Sequence, residues 1–268
     1  MTAGTTPATL TLDVSSTHRV PFERLVRVEL RKLADTRAGR WLLISIVALT
    51  LLVLVIQMAV VLGNDLHPSW VSFLMGMNTP MGILLPVLGV LSITSEWSQR
   101  TAMVTFTLEP SRMRVVMAKL VSLLIVALAA WVVGMALGAL ANVLYGAFSG
   151  HAVVWGSAGK LMFLYVVNYV ISMASGFALG ALFLNSPAGI VVYFVYTFVL
   201  PIPFAIGAAL MSWFNSLRPW IDYGFAQQPL ADGTMDGKDW AHLLTSGLIW
   251  LALPLAIGLW RINRTEVK

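Results

Sequence analysis

The residues best placed to do chemistry in this chain lie in one polar stretch, 94–119, which reads TSEWSQRTAMVTFTLEPSRMRVVMAK. Glu96 stands near its start and Lys119 at its end, with a semi-apolar segment, 102–108, between them. A loop that only connects two helices rarely exposes such apolar side chains to water. We therefore interpret the stretch either as a segment that dips into a membrane interface or as a docking site for a partner protein.

A proline and a serine divide this stretch. Ser111 follows Pro110 and precedes a second apolar run. A serine before a helix commonly accepts hydrogen bonds from the free N–H groups of the first helical turn. We therefore expect Ser111 to cap the helix that follows it.

The chain carries none of the motifs that mark common catalytic sites. Gly159-Lys160 is followed by leucine, so the G-x-x-x-x-G-K-[ST] phosphate loop is missing, and neither H-E-x-x-H nor G-x-S-x-G occurs. There is no cysteine, which excludes thiol nucleophiles and disulfides. The aspartates of 232–239 lack the glutamate of a calcium loop. Four scattered histidines are each expected to be solvated or interfacial: His18, His67, His151 and His242. We predict no enzyme activity, metal or cofactor for this chain.

The elements that must position the polar stretch are predicted to be membrane helices. Only 11% of the 268 residues are charged, and the mean hydropathy is +0.83, whereas an ordinary soluble domain has about 25% charged residues. Six stretches without charge reach the length of about 18–20 residues that crosses a bilayer: 41–62, 71–93, 120–147, 161–184, 188–210 and 241–260. The composition predicts an all-α polytopic membrane protein with six transmembrane helices.

These spans define one transmembrane domain, 21–262, between a disordered tail, 1–20, and a short tail, 263–268. The third span is expected to continue into a helix of roughly 30 residues, over about 115–147. A connecting loop, 94–114, precedes it.

The basic residues are distributed asymmetrically about these spans. If the N-terminus is cytoplasmic, 14 of the 17 basic residues lie on the cytoplasmic side, and Lys160, Arg218 and Lys238 lie on the other. The positive-inside rule then predicts that both termini are cytoplasmic. This topology explains the net charge of +5 without a nucleic-acid partner.

Residues 22–37 predict an amphipathic helix that lies in the cytoplasmic interface with its basic face toward lipid phosphates. One acidic residue, Glu29, falls within the apolar arc of this helix. Two interpretations remain open. Glu29 pairs either within the helix with Lys32, three residues away, or with a basic residue of another segment.

Small residues and prolines predict how the spans pack. The segments GMALG and GFALG place small residues at a spacing that lets helix backbones approach closely: Gly134, Gly138, Gly176 and Gly180. Pro201 and Pro203 are expected to break or kink the fifth span. The segment after it, 211–239, is rich in aromatic residues but interrupted by charge and proline. It predicts an outer interfacial or re-entrant segment ending in an exposed turn at 231–239.

The charge-free spans contain no carboxylate. A transporter driven by protons or sodium normally needs acidic groups at membrane depth. An ion- or proton-coupled secondary transporter is therefore the less favoured alternative, and a membrane-embedded enzyme is disfavoured by the missing catalytic groups. Energy for transport is expected to come from outside the spans.

The stretch ITSEWSQRTAMVTFTLEPSRMRVVMAKL resembles the cytoplasmic motif of the type-2 export permeases of bacterial ATP-binding-cassette (ABC) transporters. The matching positions are Glu96, Trp97, Arg100, Thr101, Pro110, Ser111, Arg112 and Lys119. RVELRKLADTRAGRW is similar to the N-terminal elbow helix of that family, with Glu29, Lys32 and Arg37 at its expected positions. Trp97-Ser98-Gln99 departs from the pattern, since relatives often have tyrosine and more basic residues there.

The resemblance implies the energy source and the partners. Such permeases pair with a second copy or a paralogue in the bacterial plasma membrane, and two separate ATPase subunits carry the ATP and magnesium. The matching residues, together with Phe106, would transmit ATPase closure to the spans. The aromatic, methionine and small residues of the spans suit a hydrophobic or amphipathic substrate such as a drug, lipid or peptide. Beyond the family pattern, we predict that Glu29 pairs with Arg100, Arg112 or Lys119.

Overall fold

The computed structural model describes residues 20–156 and 159–264, and every regular element in these two ranges is helical. Six helical segments are long and apolar enough to cross a membrane: Arg37–Gly63, Trp70–Ser98, Arg112–Ser149, Gly159–Phe183, Ser186–Leu210 and Gly237–Arg264. The protein is an all-α polytopic membrane protein, as its composition predicted. The predicted tails, 1–20 and 263–268, lie almost entirely outside the described residues, and 263–264 belong to the last helix.

The helices follow one another with short connections. The first half of the chain forms α1 (Phe22–Asp35), α2 (Arg37–Gly63), α3 (Trp70–Ser98), α4 (Ala102–Leu108) and α5 (Arg112–Ser149). The second half forms α6 (Gly159–Phe183), α7 (Ser186–Phe194), α8 (Pro201–Leu210), α9 (Ser212–Ile221), α10 (Tyr223–Asp232), α11 (Gly237–Gly247) and α12 (Leu253–Arg264). Hydrogen bonds bring α1, α4, the end of α3, the start of α5 and the end of α12 together at one end of the bundle. We call this end the elbow end.

Helix α5 is longer than a bilayer requires. Its 38 residues extend about 57 Å at 1.5 Å per residue, against a hydrocarbon core of about 30 Å. It ends at Gly150, whose φ of 71° is left-handed and whose N–H donates to the carbonyl of Gly146. The helix is therefore longer than the roughly 30 residues predicted, and its first turns lie at the elbow end.

Helices α3 and α6 form the centre of the bundle and are its most buried spans. Their backbones touch, because a Cβ on Gly176 would lie 1.9 Å from the carbonyl oxygen of Pro86. At Gly180 the Cα of Val90 would lie 3.0 Å from such a Cβ. These two predicted packing glycines thus lie directly in the α3–α6 contact.

The other two packing glycines face side chains of α3. A Cβ on Gly138 would lie 2.9 Å from Cδ2 of Leu74, whereas one on Gly134 would lie 3.6 Å from Cε of Met81, an ordinary van der Waals distance. Close packing therefore requires glycine at 176 and 180, where an added Cβ would meet backbone atoms, but not at 134, and at 138 the flexible end of Leu74 would have to shift. Gly89 on α3 is a further close contact, because an added Cβ there would lie 2.3 Å from the carbonyl oxygen of Met173, and the sequence motifs did not indicate it.

The fifth span is irregular but continuous. Residues Val195–Val199 form a π-helical turn, in which the N–H of Leu200 donates to the carbonyl of Val195, and α8 begins immediately after it at Pro201. Proline has no N–H to donate, so a wider turn before it accommodates the missing bond. The sixth span contains a second π-helical turn, Leu248–Ala252, before Pro254. The predicted break at Pro201 and Pro203 is thus a change of helix type.

The segment 211–239 folds into two short helices, α9 and α10, at the end of the bundle opposite the elbow. The prediction of an exposed turn over 231–239 is wrong in its extent, because only 233–236 is non-helical. Met235 is buried there in a cluster with Leu164, Tyr223, Leu230 and Leu243. Its carbonyl also accepts a hydrogen bond from Nζ of Lys160. The turn is therefore packed against α6.

Candidate functional site

Helix α1 lies against the first turns of α5 with one narrow face buried. The buried residues of α1 are Val26, Glu29 and Leu33, while Phe22 at its start is exposed. The helix ends at Asp35, and Oγ1 of the next residue, Thr36, accepts a hydrogen bond from the N–H of Gly39 and so caps α2. The amphipathic elbow helix is thus present, and an acidic residue lies at the middle of its buried face.

Four charged residues from three helices form a closed cluster, which we call the charge network: Glu29 and Lys32 of α1, Glu96 of α3 and Lys119 of α5. Nζ of Lys119 lies 2.6 Å from Oε2 of Glu29 and 3.2 Å from Oε1 of Glu96. Nζ of Lys32 lies 2.7 Å from Oε1 of Glu29 and 2.8 Å from Oε1 of Glu96. Both interpretations of Glu29 are therefore correct, since it pairs within its helix and also with Lys119.

The balance of charge explains how the network is tolerated away from water. The side chain of Lys119 is only 1% exposed, and an unpaired ammonium in that position would be strongly destabilising. Two carboxylates and two ammonium groups instead cancel, and every ammonium contacts both carboxylates. Burial by itself would lower the pKa of Lys32, but the carboxylates of Glu29 and Glu96 raise it above its ordinary value.

Helix α4 is attached to the charge network by one hydrogen bond. Oγ1 of Thr105 donates to Oε1 of Glu96 at 3.2 Å. Three large apolar side chains of α4 are exposed, namely Met103, Val104 and Leu108. Beside them a groove of about 540 Å³ separates α4 from α1. A short helix with an exposed apolar face is thus anchored to the cluster that joins α1, α3 and α5.

The start of α5 is held by side chains other than the predicted cap. Ser111 occupies the N-cap position, but its side chain makes no capping hydrogen bond, so that prediction is wrong. Oε1 of Glu109 instead accepts from the N–H of Ser111 at 3.3 Å, and Oε2 of Glu109 lies 2.8 Å from Nη1 of Arg114. Nη2 of Arg114 also donates to the carbonyl of Val20. The guanidinium of Arg114, held by Glu109, therefore ties the chain before α1 to the start of α5.

Aromatic and cationic contacts fix the remaining side of α4. The Phe106 ring lies 6.1 Å from that of Trp97, between centroids, and the Arg112 guanidinium carbon lies 5.1 Å from the Phe106 centroid. Arg112 also donates to the carbonyl of Ile262. The end of α12 is thus linked to α4 through the first residue of α5.

The turn between α3 and α4 contains an unusual backbone conformation. Arg100 has a φ of 58°, and the N–H of Thr101 donates to the carbonyl of Glu96 at 2.9 Å. The N–H of Arg100 donates to the carbonyl of Trp97. These two bonds form a Schellman motif, in which the left-handed position usually holds glycine. The side chain of Arg100 is exposed and so does not serve as the predicted partner of Glu29.

The predicted site residues therefore divide into two groups. Those brought together at the elbow end are Glu29, Lys32, Glu96, Trp97, Phe106, Arg112 and Lys119. Those with exposed side chains are Arg37, Arg100, Thr101, Pro110 and Ser111. The sequence did not single out Thr105, Glu109 or Arg114. The i, i+5 spacing of Glu109 and Arg114 is not a helical pairing distance, so no local pattern indicated them.

A second cavity, of about 370 Å³, lies farther along the bundle between α3, α6 and the π-helical turn. Hydroxyl and amide side chains make up much of its wall: Ser172, Ser175, Tyr193, Tyr196, Thr197, Gln227 and Gln228. Nε of Arg218 also reaches this cavity and lies 3.0 Å from Oδ2 of Asp222. The cavity therefore offers hydrogen-bonding groups beside apolar helix faces.

The sequence was also compared with known proteins. Comparison with protein-family models and with curated proteins found no match.

Proposed function

We propose that this protein is the membrane-spanning permease subunit of an ATP-driven ABC exporter in a bacterial plasma membrane, with both termini in the cytoplasm. The observation that carries the proposal is helix α4. It exposes Met103, Val104 and Leu108 beside a groove, and Thr105 ties it to the charge network. An exposed apolar helix on a charged membrane face is suited to docking a partner protein.

The contacts of α4 also suggest how motion passes into the membrane. A partner that displaces α4 pulls on Glu96, and Glu96 is bonded to both Lys32 and Lys119. Pulling Glu96 away would leave the buried ammonium of Lys119 with one carboxylate instead of two, which is costly. The ends of α1, α3 and α5 therefore move together with α4, and ATPase closure would reorient the spans as a unit.

An external source of energy fits the placement of charge. The ionisable groups of the elbow end, Glu29, Glu96 and Lys119, are engaged with one another. The long charge-free parts of the spans offer no carboxylate for a coupling ion. ATP and magnesium would be bound by the partner ATPase subunit, present in two copies.

The substrate is proposed to be hydrophobic or amphipathic. Aromatic and aliphatic side chains dominate the spans. The hydroxyl and amide groups of the 370 Å³ cavity would pair with the polar part of an amphipathic molecule. A second permease copy or a paralogue would complete the path.

The proposal is tested by purifying the protein together with the ATPase subunit encoded beside it. We expect the ATPase to co-purify with the wild-type chain and to be lost when Val104 or Leu108 is replaced by glutamate. The control is Leu66→Glu, which changes an apolar and exposed residue at the opposite end and should retain the ATPase.

Two results would contradict the proposal. The first is an ATPase that remains bound equally well to Val104→Glu, Leu108→Glu and Leu66→Glu. The second is ion-driven uptake into liposomes by the purified chain alone, which would favour an ion- or proton-coupled secondary transporter.

A further inference from the structure

Three side chains of the metal-ligating types lie together at the end of the bundle opposite the elbow. Asp65 and His67 belong to the connection between α2 and α3, and His151 follows α5. One ligand atom from each residue lies within 4.8 Å of the other two. The imidazole rings of the two histidines are 4.4 Å apart between centroids. The three side chains are exposed to solvent.

The two loops that carry these residues are fixed to one another. The N–H of Trp70, at the start of α3, donates to the carbonyl of Val154 at 3.2 Å. The same carbonyl accepts a hydrogen bond from Nδ2 of Asn142 on α5. The cluster is therefore a product of the fold, since the helix ends hold both loops in place.

Tyr145 of α5 orients the histidines. Its hydroxyl donates to the carbonyl of Leu66 at 2.8 Å and lies 3.3 Å from Nδ1 of His67. Because the hydroxyl proton is already used, the hydroxyl oxygen accepts from Nδ1–H, and the lone pair of His67 is left on Nε2. A histidine that ligates a metal usually donates its other N–H to an oxygen in this way. The Tyr145 ring also stacks parallel to His151, with an interplanar angle of 5°.

We propose that His67, His151 and Asp65 bind one divalent ion of the zinc and copper class, with water completing the coordination. Two imidazoles and one carboxylate form a donor set that suits these ions, while calcium and magnesium prefer oxygen ligands throughout. Bond lengths of about 2.0–2.2 Å place the donors of a tetrahedral ion roughly 3.4 Å apart. Rotation of three exposed side chains closes the remaining distance.

A bound ion would cross-link the connection between α2 and α3 to the connection between α5 and α6. It would therefore hold the ends of four spans together at the side of the bundle opposite the docking helix α4. This site is independent of the proposed permease function, because neither an ATPase nor a transported substrate is needed to form it.

The test measures metal binding to the full-length protein purified in detergent through an affinity tag that contains no histidine. Copper(II) is titrated and followed by electron paramagnetic resonance, and zinc(II) is titrated by calorimetry. We expect one ion per chain, with nitrogen hyperfine splitting in the copper spectrum. The variants His67→Ala, His151→Ala and Asp65→Asn should each bind at least about 10-fold more weakly, and Tyr145→Phe about 10-fold more weakly. His18→Ala is the matched control and should bind as the wild type does.

Two results would overturn the proposal. One is a wild-type protein that binds neither copper(II) nor zinc(II) at about 100 µM, a concentration far above the dissociation constants of structural zinc sites. The other is binding that His67→Ala and His151→Ala leave unchanged. Co-purification of the ATPase does not enter either readout, so failure of the metal site and failure of the permease proposal are distinguishable.

Discussion

Lys119 illustrates how single residues determine the elbow end. The sequence places it beside a charge-free span, but the structure removes its side chain almost completely from water. Its charge is tolerated there because Glu29 and Glu96 contact Nζ from two other helices. A lysine in this position therefore selects one arrangement of α1, α3 and α5, in which both carboxylates face it.

Removing Glu29 should destabilise this arrangement. Glu29→Gln deletes the shorter of the two ion pairs of Lys119, and breaking a buried pair from one side costs about 3–5 kcal/mol. We expect a clearly lower melting temperature in detergent. Glu23→Gln, an exposed glutamate of the same helix, is the control and should change stability by less than about 1 kcal/mol.

A double variant separates the lost pair from other effects of the substitution. Glu29→Gln combined with Lys119→Met leaves Glu96 paired with Lys32 and no buried ammonium. It should melt above the Glu29→Gln single variant. If the Glu29→Gln variant melts at the wild-type temperature and the activity of the proposed ATPase partner is unchanged, the charge network does not stabilise the elbow end.

Replacing Arg100 is expected to stabilise the protein, whereas replacing Glu29 is expected to destabilise it. A non-glycine residue in the left-handed region costs about 1–2 kcal/mol, and Arg100 has a φ of 58°. Arg100→Gly should therefore raise the melting temperature. Gly150→Ala is the reciprocal control, because Gly150 also has a left-handed φ and no atom lies within 4 Å of an added Cβ, so its melting temperature should fall.

The Arg100→Gly variant also separates the stability of the chain from its binding to the proposed ATPase partner. If the exposed guanidinium of Arg100 contacts the ATPase, Arg100→Gly will bind it more weakly while melting at a higher temperature. A lower melting temperature for Arg100→Gly would contradict the assigned backbone strain.

At the scale of elements, the sequence predicted those features that depend on one segment at a time. Six charge-free stretches correspond to the six candidate spans, because a charged side chain is costly in the middle of a membrane-spanning helix. The amphipathic period of 22–37 likewise located α1. The predicted cap by Ser111 was wrong, and the carboxylate nearby, Glu109, accepts from the N–H of Ser111 itself and not from the first turn of α5. The pairing of Glu96 with Lys32 joins separate helices, so no sequence spacing could indicate it.

Packing of α3 on α6 gives a matched pair of predictions for two glycines of the same motif type. An added methyl group at Gly176 meets the Pro86 carbonyl at 1.9 Å, so Gly176→Ala must push the two central helices apart and should lose about 1–3 kcal/mol. An added methyl group at Gly134 meets only Cε and Sδ of Met81, the nearer at 3.6 Å. Gly134→Ala should therefore be neutral or stabilising by up to about 1 kcal/mol, since alanine favours the helical conformation. Thermal unfolding in detergent measures both, and equal effects of the two substitutions would contradict the assigned contact.

At the scale of the whole molecule, burial is unevenly distributed among the spans. Helix α2 and the fifth span, α7–α8, are the least buried of the six, whereas α3 and α6 are the most buried. The exposed apolar faces of α2 and α8 must contact either lipid or another protein chain. If the proposed function is correct and the chain pairs with a second copy, such faces would form the contact between the two. The least buried spans are therefore the ones expected to meet the second copy.

Because the sequence contains no cysteine, the expected contact of α2 and α8 with a second copy can be tested by introducing single cysteines, without background cross-linking. A single cysteine at Leu52 of α2 or Ile206 of α8 should yield a covalent dimer in membranes treated with a short thiol-reactive cross-linker. The control is a single cysteine at Val132 of α5, because the three side chains are similarly exposed, at 52%, 55% and 56%, and α5 is more buried as a helix. A helix that makes few contacts within the chain has more surface left to bury against a second copy. Cross-linking should therefore be more efficient on the less buried helices α2 and α8 than on α5, although the three side chains are similarly exposed. Cross-linking at Val132 as efficient as at Leu52 and Ile206 would show that random collision in the membrane explains the dimer, and the pairing surface would then lie elsewhere.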